Sequence, residues 1–337
     1  MKRSILILHC GGTIGMGPTQ RGFAPLDNFG ERLQTRLAAA GDSLPEVHYC
    51  ELEPLIDSAN AQPHDWQRMA AVLRSQWQNY DGFLLLHGTD SMAFSASALS
   101  FLLGPIDKPV LLTGAQIPLV EPHSDATDNL LGSLKILAQP SALAEVCVYF
   151  HQRLLRGNRS VKFRSTGPDA FDSPNLPPLG RTGARFELHH ELLLPPAAPD
   201  FRPCTIDDDA VAVLGFYPGV SERLFSAVLS QAGLRALVIR AYGVGNGPDR
   251  NTALMRELRR ASDDGICVLT ITRCAQGSVL PPTYATGTSL AESGVIGGRD
   301  LTLEAAYSKL HVLIGQGLSA TELREQMPEP LRGECSA

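Results

Sequence analysis

Bulky apolar residues in this chain come in short runs that break off into polar, glycine-containing clusters. The most abrupt run is Gly82–Phe83–Leu84–Leu85–Leu86, followed at once by His87–Gly88–Thr89–Asp90–Ser91. Four of the five residues before His87 are large and apolar, which predicts a strand buried on both faces. Met92, Ser95, Ala96 and Leu99 then recur at helical spacing, so a helix is expected over 91–103. A second run has the same form: Ser4–Ile5–Leu6–Ile7–Leu8 leads into His9–Cys10–Gly11–Gly12–Thr13–Ile14–Gly15. If the two strands are neighbours, Thr13 and Thr89 face each other across a crevice at the carboxyl edge of a sheet, where ligands sit in open α/β folds. The start of a helix there also offers free N–H groups to an anion.

The same grammar continues along the chain. Helices are expected over 26–41, 63–78 and 125–138, the second with Trp66, Met69, Ala70, Leu73 and Trp77 on one face. Further strands are expected at 47–52, 109–114 and 145–150. Strands alternating with helices at this spacing predict a parallel sheet with crossover helices. The stretch 15–25, with Gly17, Pro18, Gly22 and Pro25, reads as an irregular, mobile flap. From 157 to 180 the periodicity is lost, and an irregular excursion of that length is often functional. Pro195, Pro196, Pro199 and Pro203 mark a linker. Beyond it the alternation resumes, with strands at 210–217, 236–240 and 266–271 and helices at 221–232, 252–262, 302–314 and 321–327. The expected fold class is therefore α/β: a larger N-terminal domain (1–190) with a mostly parallel sheet flanked by helices, a linker (191–209), and a smaller C-terminal α/β domain (210–337).

Composition narrows the function classes. At 337 residues the chain is long for a single core, which fits two domains. A formal net charge of −6 without a long basic run argues against nucleic acid and anionic membranes as partners. No apolar stretch reaches the length of a membrane span. The apolar residues after Lys2 and Arg3 are too few for a signal peptide and flow into the glycines of the fold, so a cytoplasmic location is expected. The seven cysteines are odd in number and several sit within apolar strands, as free thiols would. Neither CxxC nor HExxH occurs, the histidines lack metal-ligand spacing, and no metal or other cofactor is expected.

A threonine hydroxyl is a weak nucleophile until a base takes its proton. Thr13 therefore needs a partner. Thr89 with Lys162 is the best set in the chain: a lysine held out of water against a hydroxyl can accept a proton, an effect that a carboxylate such as Asp90 opposes. Lys162 is alternatively a solvated surface charge. Asp90 is suited either to a substrate ammonium or to capping the helix that follows it. Ser58, in Asp57–Ser58–Ala59–Asn60, is suited to a substrate carboxylate or to steadying its own turn. The glycine spacing at 12, 15 and 17 fits neither GxGxxG nor GxxxxGK[ST], which disfavours a nucleotide site.

These residues lie within an ordered set of motifs that resembles the bacterial L-asparaginases of the cytoplasmic type I class over essentially the whole chain. The set comprises Gly11–Gly12–Thr13–Ile14–Gly15, Asp57–Ser58, His87–Gly88–Thr89–Asp90–Ser91–Met92, Gly157–Asn158–Arg159 with Lys162, Ser173–Pro174–Asn175–Leu176–Pro177–Pro178–Leu179, Tyr242–Gly243–Val244–Gly245–Asn246, Tyr284–Ala285–Thr286–Gly287 and Gly294–Val295–Ile296–Gly297–Gly298. The resemblance implies hydrolysis of L-asparagine to L-aspartate and ammonia through a β-aspartyl acyl-enzyme. Some members also accept glutamine or D-asparagine. It implies Thr13 as nucleophile, Thr89, Asp90 and Lys162 as a second catalytic constellation, and Ser58, Thr89 and Asp90 around the substrate. It further implies a homodimer or dimer of dimers in which Asn246, and more weakly Tyr284, reach the partner's site. Arg240 and Cys274 match positions of an activating asparagine site, with Thr272 nearby.

One position departs from the family pattern. The flap usually carries a tyrosine whose hydroxyl meets the nucleophile, and this chain has Phe23, which cannot donate, accept or relay a proton. His9 and Gln20 are close in sequence, but sequence alone supplies no physical case for either as a substitute. The rival readings are a glutaminase-asparaginase, a D-asparagine-accepting amidase, and a weakly active amino-acid-binding or regulatory protein on the same scaffold. A transfer-RNA-dependent amidotransferase subunit usually carries an additional N-terminal domain, and this chain begins at the first catalytic strand.

Overall fold

The computed structural model describes residues 2–20, 22–41, 44–140, 142–279 and 285–336. The chain divides into two units, Met1–Arg202 and Pro203–Ala337.

In the first unit the elements run β1 (Ser4–His9), β2 (Met16–Thr19), β3 (Gly22–Pro25), α1 (Phe29–Ala39), β4 (Glu46–Glu51), α2 (Pro63–Gln76), β5 (Gly82–Leu86), α3 (Met92–Leu103), β6 (Val110–Thr113), α4 (Ala126–Ala138), β7 (Val146–Phe150), β8 (Arg153–Arg156), β9 (Val161–Lys162), β10 (Phe171–Asp172), β11 (Gly180–Thr182) and β12 (Phe186–Leu188). The main sheet has the order β12-β11-β8-β7-β6-β5-β1-β4. From β4 to β7 every pairing is parallel, whereas β8, β11 and β12 join antiparallel. All five residues of β5 and all four of β6 are buried, as strands covered by helices on both faces require. Helix α2 starts on Pro63 behind a reciprocal Gln62–Asp65 capping box and buries Trp66, Met69, Ala70 and Leu73. Helix α3 is buried almost all round, and its small Ser and Ala residues let neighbouring elements approach closely.

Three sequence expectations change. The stretch 15–25 is not irregular: after a short 3-10 turn at Thr13–Gly15, β2 and β3 form a hairpin pairing Met16 with Pro25 and Thr19 with Gly22. A two-stranded ribbon tolerates prolines because its edges need no donor, and Gly22 supplies the positive φ of its turn. Within the excursion 157–180, β9 and β10 pair antiparallel, placing Phe171 opposite Lys162. Finally, Ser91, not Asp90, occupies the N-cap position of α3, which leaves the Asp90 carboxylate for other partners.

The second unit contains β13 (Val211–Gly215), α5 (Glu222–Leu229), β14 (Ala236–Ala241), α6 (Thr252–Asp263), β15 (Cys267–Thr272), α7 (Ala285–Glu292), β16 (Ile296–Gly297), α8 (Leu303–Gly315) and α9 (Ala320–Gln326). Its sheet, β13-β14-β15-β16, is parallel throughout. The sequence pattern misses α7 and β16, which are short and carry little periodicity. Among the described residues the sheet packs between two apolar clusters, one around Leu310 and Met327 and the other around Phe225 and Leu258. A fully buried ion pair, Lys309 with Glu334 at 2.6 Å, ties the end of the chain to α8. Its spare hydrogen bonds are used: Lys309 donates to the carbonyls of Met327 and Glu329, and Glu334 accepts from the amides of Leu331 and Arg332. No helix of the described residues is long and apolar enough to cross a membrane.

Candidate active site

The site grows out of the carboxyl ends of β1 and β5, which are adjacent and parallel in register, with Leu8 opposite Leu85 and His9 opposite Leu86. The ladder continues past β1: the Cys10 amide donates to the Leu86 carbonyl at 2.8 Å, and the Ile56 amide donates to the Cys10 carbonyl at 2.8 Å. Three loops are thus drawn together, the one after β1, the one after β5 and the one at 55–60.

Glycines let these loops touch through backbone. A Cβ on Gly12, whose φ is +93°, would lie 2.3 Å from both the Cα and the N of Gly88. A Cβ on Gly88 would lie 2.4 Å from Ser58 Oγ, and one on Gly11 would lie 2.2 Å from the Ile56 carbonyl oxygen. Real Cβ atoms do not tolerate such distances, so only glycine permits this approach. The consequence is direct: Thr13 follows Gly12, Thr89 follows Gly88, and the Ser58 side chain packs against Gly88. Ser58 is buried, and its carbonyl accepts from Ser91 Oγ at 2.7 Å, fastening the loop to the start of α3.

Lys162 arrives from 73 residues further along the chain. Its ammonium donates to Thr89 Oγ1 at 2.8 Å and to Asp90 Oδ1 at 2.6 Å. The pairing of β9 with β10 holds its backbone, and the side chain is only 19% exposed. Thr89 Oγ1 in turn donates to Gln116 Oε1 at 3.3 Å, and Gln116 Nε2 donates to the carbonyls of Ser165 and Gly167. The Gln116 backbone is itself fixed by Asp125, whose carboxylate accepts from the amides of Gln116 and Ile117. Sequence reasoning missed Gln116. The signal was present, since it stands three residues after the buried strand β6, in the same strand-to-loop position that singled out Thr13 and Thr89.

His87, two residues before Thr89, makes its hydrogen bonds elsewhere. Its Nδ1 donates to the Gly88 carbonyl, and its Nε2 lies 2.9 Å from Ser95 Oγ on α3. Burial pushes its pKa down, so it is a neutral brace within the core.

Beside Gly11 and Gly12 lies a cavity of about 290 Å³, bounded by the β2–β3 flap and by Leu55, Ile56 and Asp57. Phe23 lines it from the flap and is otherwise 52% exposed. His9 lines it from the end of β1.

The remaining candidates belong to the second unit. Asn246 closes a tight backbone loop with Tyr242, each amide donating to the other's carbonyl. Arg240 and Thr272 lie near the carboxyl ends of the neighbouring strands β14 and β15, and the Cys274 amide donates to Thr272 Oγ1 at 3.1 Å. Arg240 and Cys274 are both exposed. Tyr284 lies outside the described residues.

Two family models match the chain: "Asparaginase, N-terminal" over residues 4–194 and "Glutaminase/Asparaginase C-terminal domain" over residues 210–327. L-asparaginase 1 of Escherichia coli (strain K12) is 43% identical over 343 residues, covering 99% of this chain and 98% of the relative. A 60 kDa lysophospholipase of Mus musculus is 36% identical over 359 residues, covering 99% of this chain and 63% of the relative. Among solved structures, L-asparaginase I from Vibrio cholerae superposes over the full length of both chains with a TM-score of 0.91 and 38% identity.

Proposed function

The chain belongs to the type I bacterial asparaginase/glutaminase family, and from that premise we propose that it hydrolyses the side-chain amide of L-asparagine to L-aspartate and ammonia. The observation that carries this reading is the Lys162–Thr89–Asp90 cluster, joined to Thr13 through the Gly12–Gly88 backbone contact. Two hydroxyls and an ammonium gathered at adjoining strand ends suit attack on one amide and then attack by water on the resulting ester.

In the proposed sequence Thr13 Oγ attacks the amide carbon while its proton passes to an acceptor. Backbone N–H groups of Thr89 and its neighbours hold the developing oxyanion. The C–N bond breaks, the leaving nitrogen takes up the proton, and ammonia departs from a β-aspartyl ester on Thr13. Thr89, held by Lys162, then orients the water that attacks the ester carbon; the Thr13 Oγ–C bond breaks, the water's proton passes to Thr13 Oγ, and aspartate is released. Ser58 receives the substrate α-carboxylate and Asp90 its α-ammonium. Asp90 already accepts an ammonium from Lys162, so this carboxylate has the charge and exposure for a cationic partner. Asn246 completes the site from a partner chain in a dimer or a dimer of dimers, and Arg240, Thr272 and Cys274 border a second, activating asparagine site.

Ammonia release from L-Asn, L-Gln and D-Asn across a concentration range tests the reading. Turnover of L-Asn is expected, and a sigmoidal rate curve is the expected sign of the second site. A protein that binds L-Asn without releasing ammonia would instead be a sensor on this scaffold. Fatty-acid release from a lysophospholipid in the absence of amide turnover would favour the chemistry named for the mouse relative.

A further inference from the structure

Thr89 Oγ1 has two hydrogen-bond partners among the described residues, and their chemistry fixes where its proton points. Lys162 Nζ, at 2.8 Å, only donates. Gln116 lies at 3.3 Å on the other side, and a side-chain amide can present either a donor or an acceptor. Its far end settles which. Gln116 Nε2 lies 3.3 Å from the carbonyl oxygens of both Ser165 and Gly167. Carbonyls only accept, so the NH2 group must face them; the reversed amide would set one oxygen against two others. Oε1 therefore faces Thr89, and it too only accepts. The Thr89 hydroxyl is the donor in that contact, and its proton is committed to Gln116.

A hydroxyl has one proton and two lone pairs. With the proton on Gln116 and one lone pair taken by Lys162, a single lone pair of Thr89 Oγ1 is left for a further donor.

Several groups hold this geometry. The Asp125 carboxylate accepts from the amides of Gln116 and Ile117, and Ser124 Oγ donates to the Ile117 carbonyl at 2.8 Å. Asn129, 2% exposed, donates from Nδ2 to the Gly114 carbonyl and to Asp125 Oδ2, so the carboxylate is itself held. Ser165 and Gly167 belong to the tip of the β9–β10 ribbon. The amides of Phe163 and Arg164 close that tip on the Ala170 carbonyl, and Arg164 pairs with Asp169 at 3.0 Å across it. One ribbon thus supplies the Lys162 ammonium from its strand and, from its tip, the carbonyls that orient Gln116.

We infer that Gln116 is a positioning residue that makes Thr89 a hydrogen-bond acceptor toward the water that hydrolyses the acyl-enzyme. This rests on the hydrolase reading above. The water donates one hydrogen to the remaining lone pair of Thr89 Oγ1, which turns a lone pair of the water oxygen toward the ester carbon. That oxygen bonds to the carbon, the Thr13 Oγ–C bond breaks, and the water's other proton passes to Thr13 Oγ. The first hydrogen stays on the new carboxyl group and is lost to solvent as aspartate leaves. Without Gln116 the Thr89 hydroxyl rotates and donates to the water, which occupies the lone pair needed for attack. The earlier attack by Thr13 uses the Thr89 backbone N–H and not its hydroxyl, so the two steps respond differently.

The test is rapid-quench measurement of ammonia and aspartate separately, on the wild type, Gln116→Met and Gln116→Glu, with melting temperatures of all three. Methionine fills the space of glutamine but offers Thr89 no oxygen and the ribbon no donor. Glutamate keeps an oxygen for Thr89 and withdraws only the donor to Ser165 and Gly167. Gln116→Met is expected to release its first equivalent of ammonia at the wild-type rate and aspartate about ten-fold more slowly, the worth of one oriented hydrogen bond. Its kcat and KM then fall together, and kcat/KM, which reports only the acylation, stays within about two-fold of wild type. Gln116→Glu is expected to keep aspartate release close to the wild-type rate. A residue that merely braces the ribbon predicts the opposite: both variants alike, with ammonia and aspartate slowed equally and a lower melting temperature. That pattern overturns the inference, as does Gln116→Met with no lag between the two products. If Gln116→Met does not fold, Gln116→Glu decides by itself, and a lag of aspartate behind ammonia in that variant overturns the inference. A wild type that releases no ammonia defeats the hydrolase reading; a wild type that turns over beside an equally fast Gln116→Met defeats only the role of Gln116.

Discussion

Both units carry parallel strands whose carboxyl ends open into glycine-containing loops, yet those ends behave differently. In the first unit the loops interlock: Gly11, Gly12 and Gly88 each stand where any side chain would strike backbone or the buried Ser58. In the second unit, Gly219 in the loop after β13 and Gly243 after β14 have nothing within 4 Å of a hypothetical Cβ. The first pair of strand ends therefore builds a rigid floor on which Lys162, Thr89 and Asp90 meet within hydrogen-bond distance. The second presents an exposed arginine and an exposed thiol. At Gly11, Gly12 and Gly88 close packing requires glycine, whereas at Gly219 and Gly243 only the positive φ of the turn does.

The largest effect expected from that contrast is on Gly12. Gly12→Ala forces a Cβ into the Gly88 backbone and should reduce ammonia release below detection, whereas Gly219→Ala, with open space around it, should keep turnover within about two-fold of wild type. Comparable losses in both variants would erase the distinction between the loops. Next in size is Lys162→Met, which keeps much of the side chain's length but withdraws the donor to Thr89. A fall in kcat of about 10²–10⁴-fold is expected, and Thr89→Val should add little on top of it because the two act as one unit. Additive losses in the double variant would separate them.

A smaller gain is expected at the flap. Phe23→Tyr puts a hydroxyl at a position that already lines the cavity, and kcat should rise; an unchanged or lower kcat counts against any proton-relay need at this position.

The smallest effect belongs to the second unit and to stability. Burial at the start of α8 raises the Glu304 carboxyl from 4.5 to about 7, with Arg240 pulling the other way. The folded form therefore holds this proton more tightly than the unfolded form. The group's contribution is complete below pH 4.5 and is lost as pH rises through about 7. His311, lowered by burial to about 4, works in the opposite sense, its contribution lost as pH falls from 6.5 toward about 4. Glu304→Gln removes one of these two opposed dependences. Its urea midpoint should overtake the wild type's as pH rises across the first window, and parallel curves for the two proteins would exclude a titrating Glu304.

Sequence by itself determined the buried strands, their polar termini and the order of motifs, because a short apolar run bounded by turn residues favours a buried strand and a glycine–threonine cluster ends it. That was enough to single out Thr13, Ser58, Thr89, Asp90 and Lys162 as candidates. Tertiary structure alone decided that β5 lies beside β1, that the proline-bearing flap pairs into a hairpin, and that a short ribbon brings Lys162 to a threonine 73 residues away. It also decided that Gln116 completes the Thr89 hydrogen bonds and that Glu51, Tyr49 and His9 form one chain. The division has a physical cause: burial and turn chemistry act over a few neighbouring residues and leave a local pattern. Hydrogen bonds between distant segments depend on which strands become neighbours, and no local pattern records that.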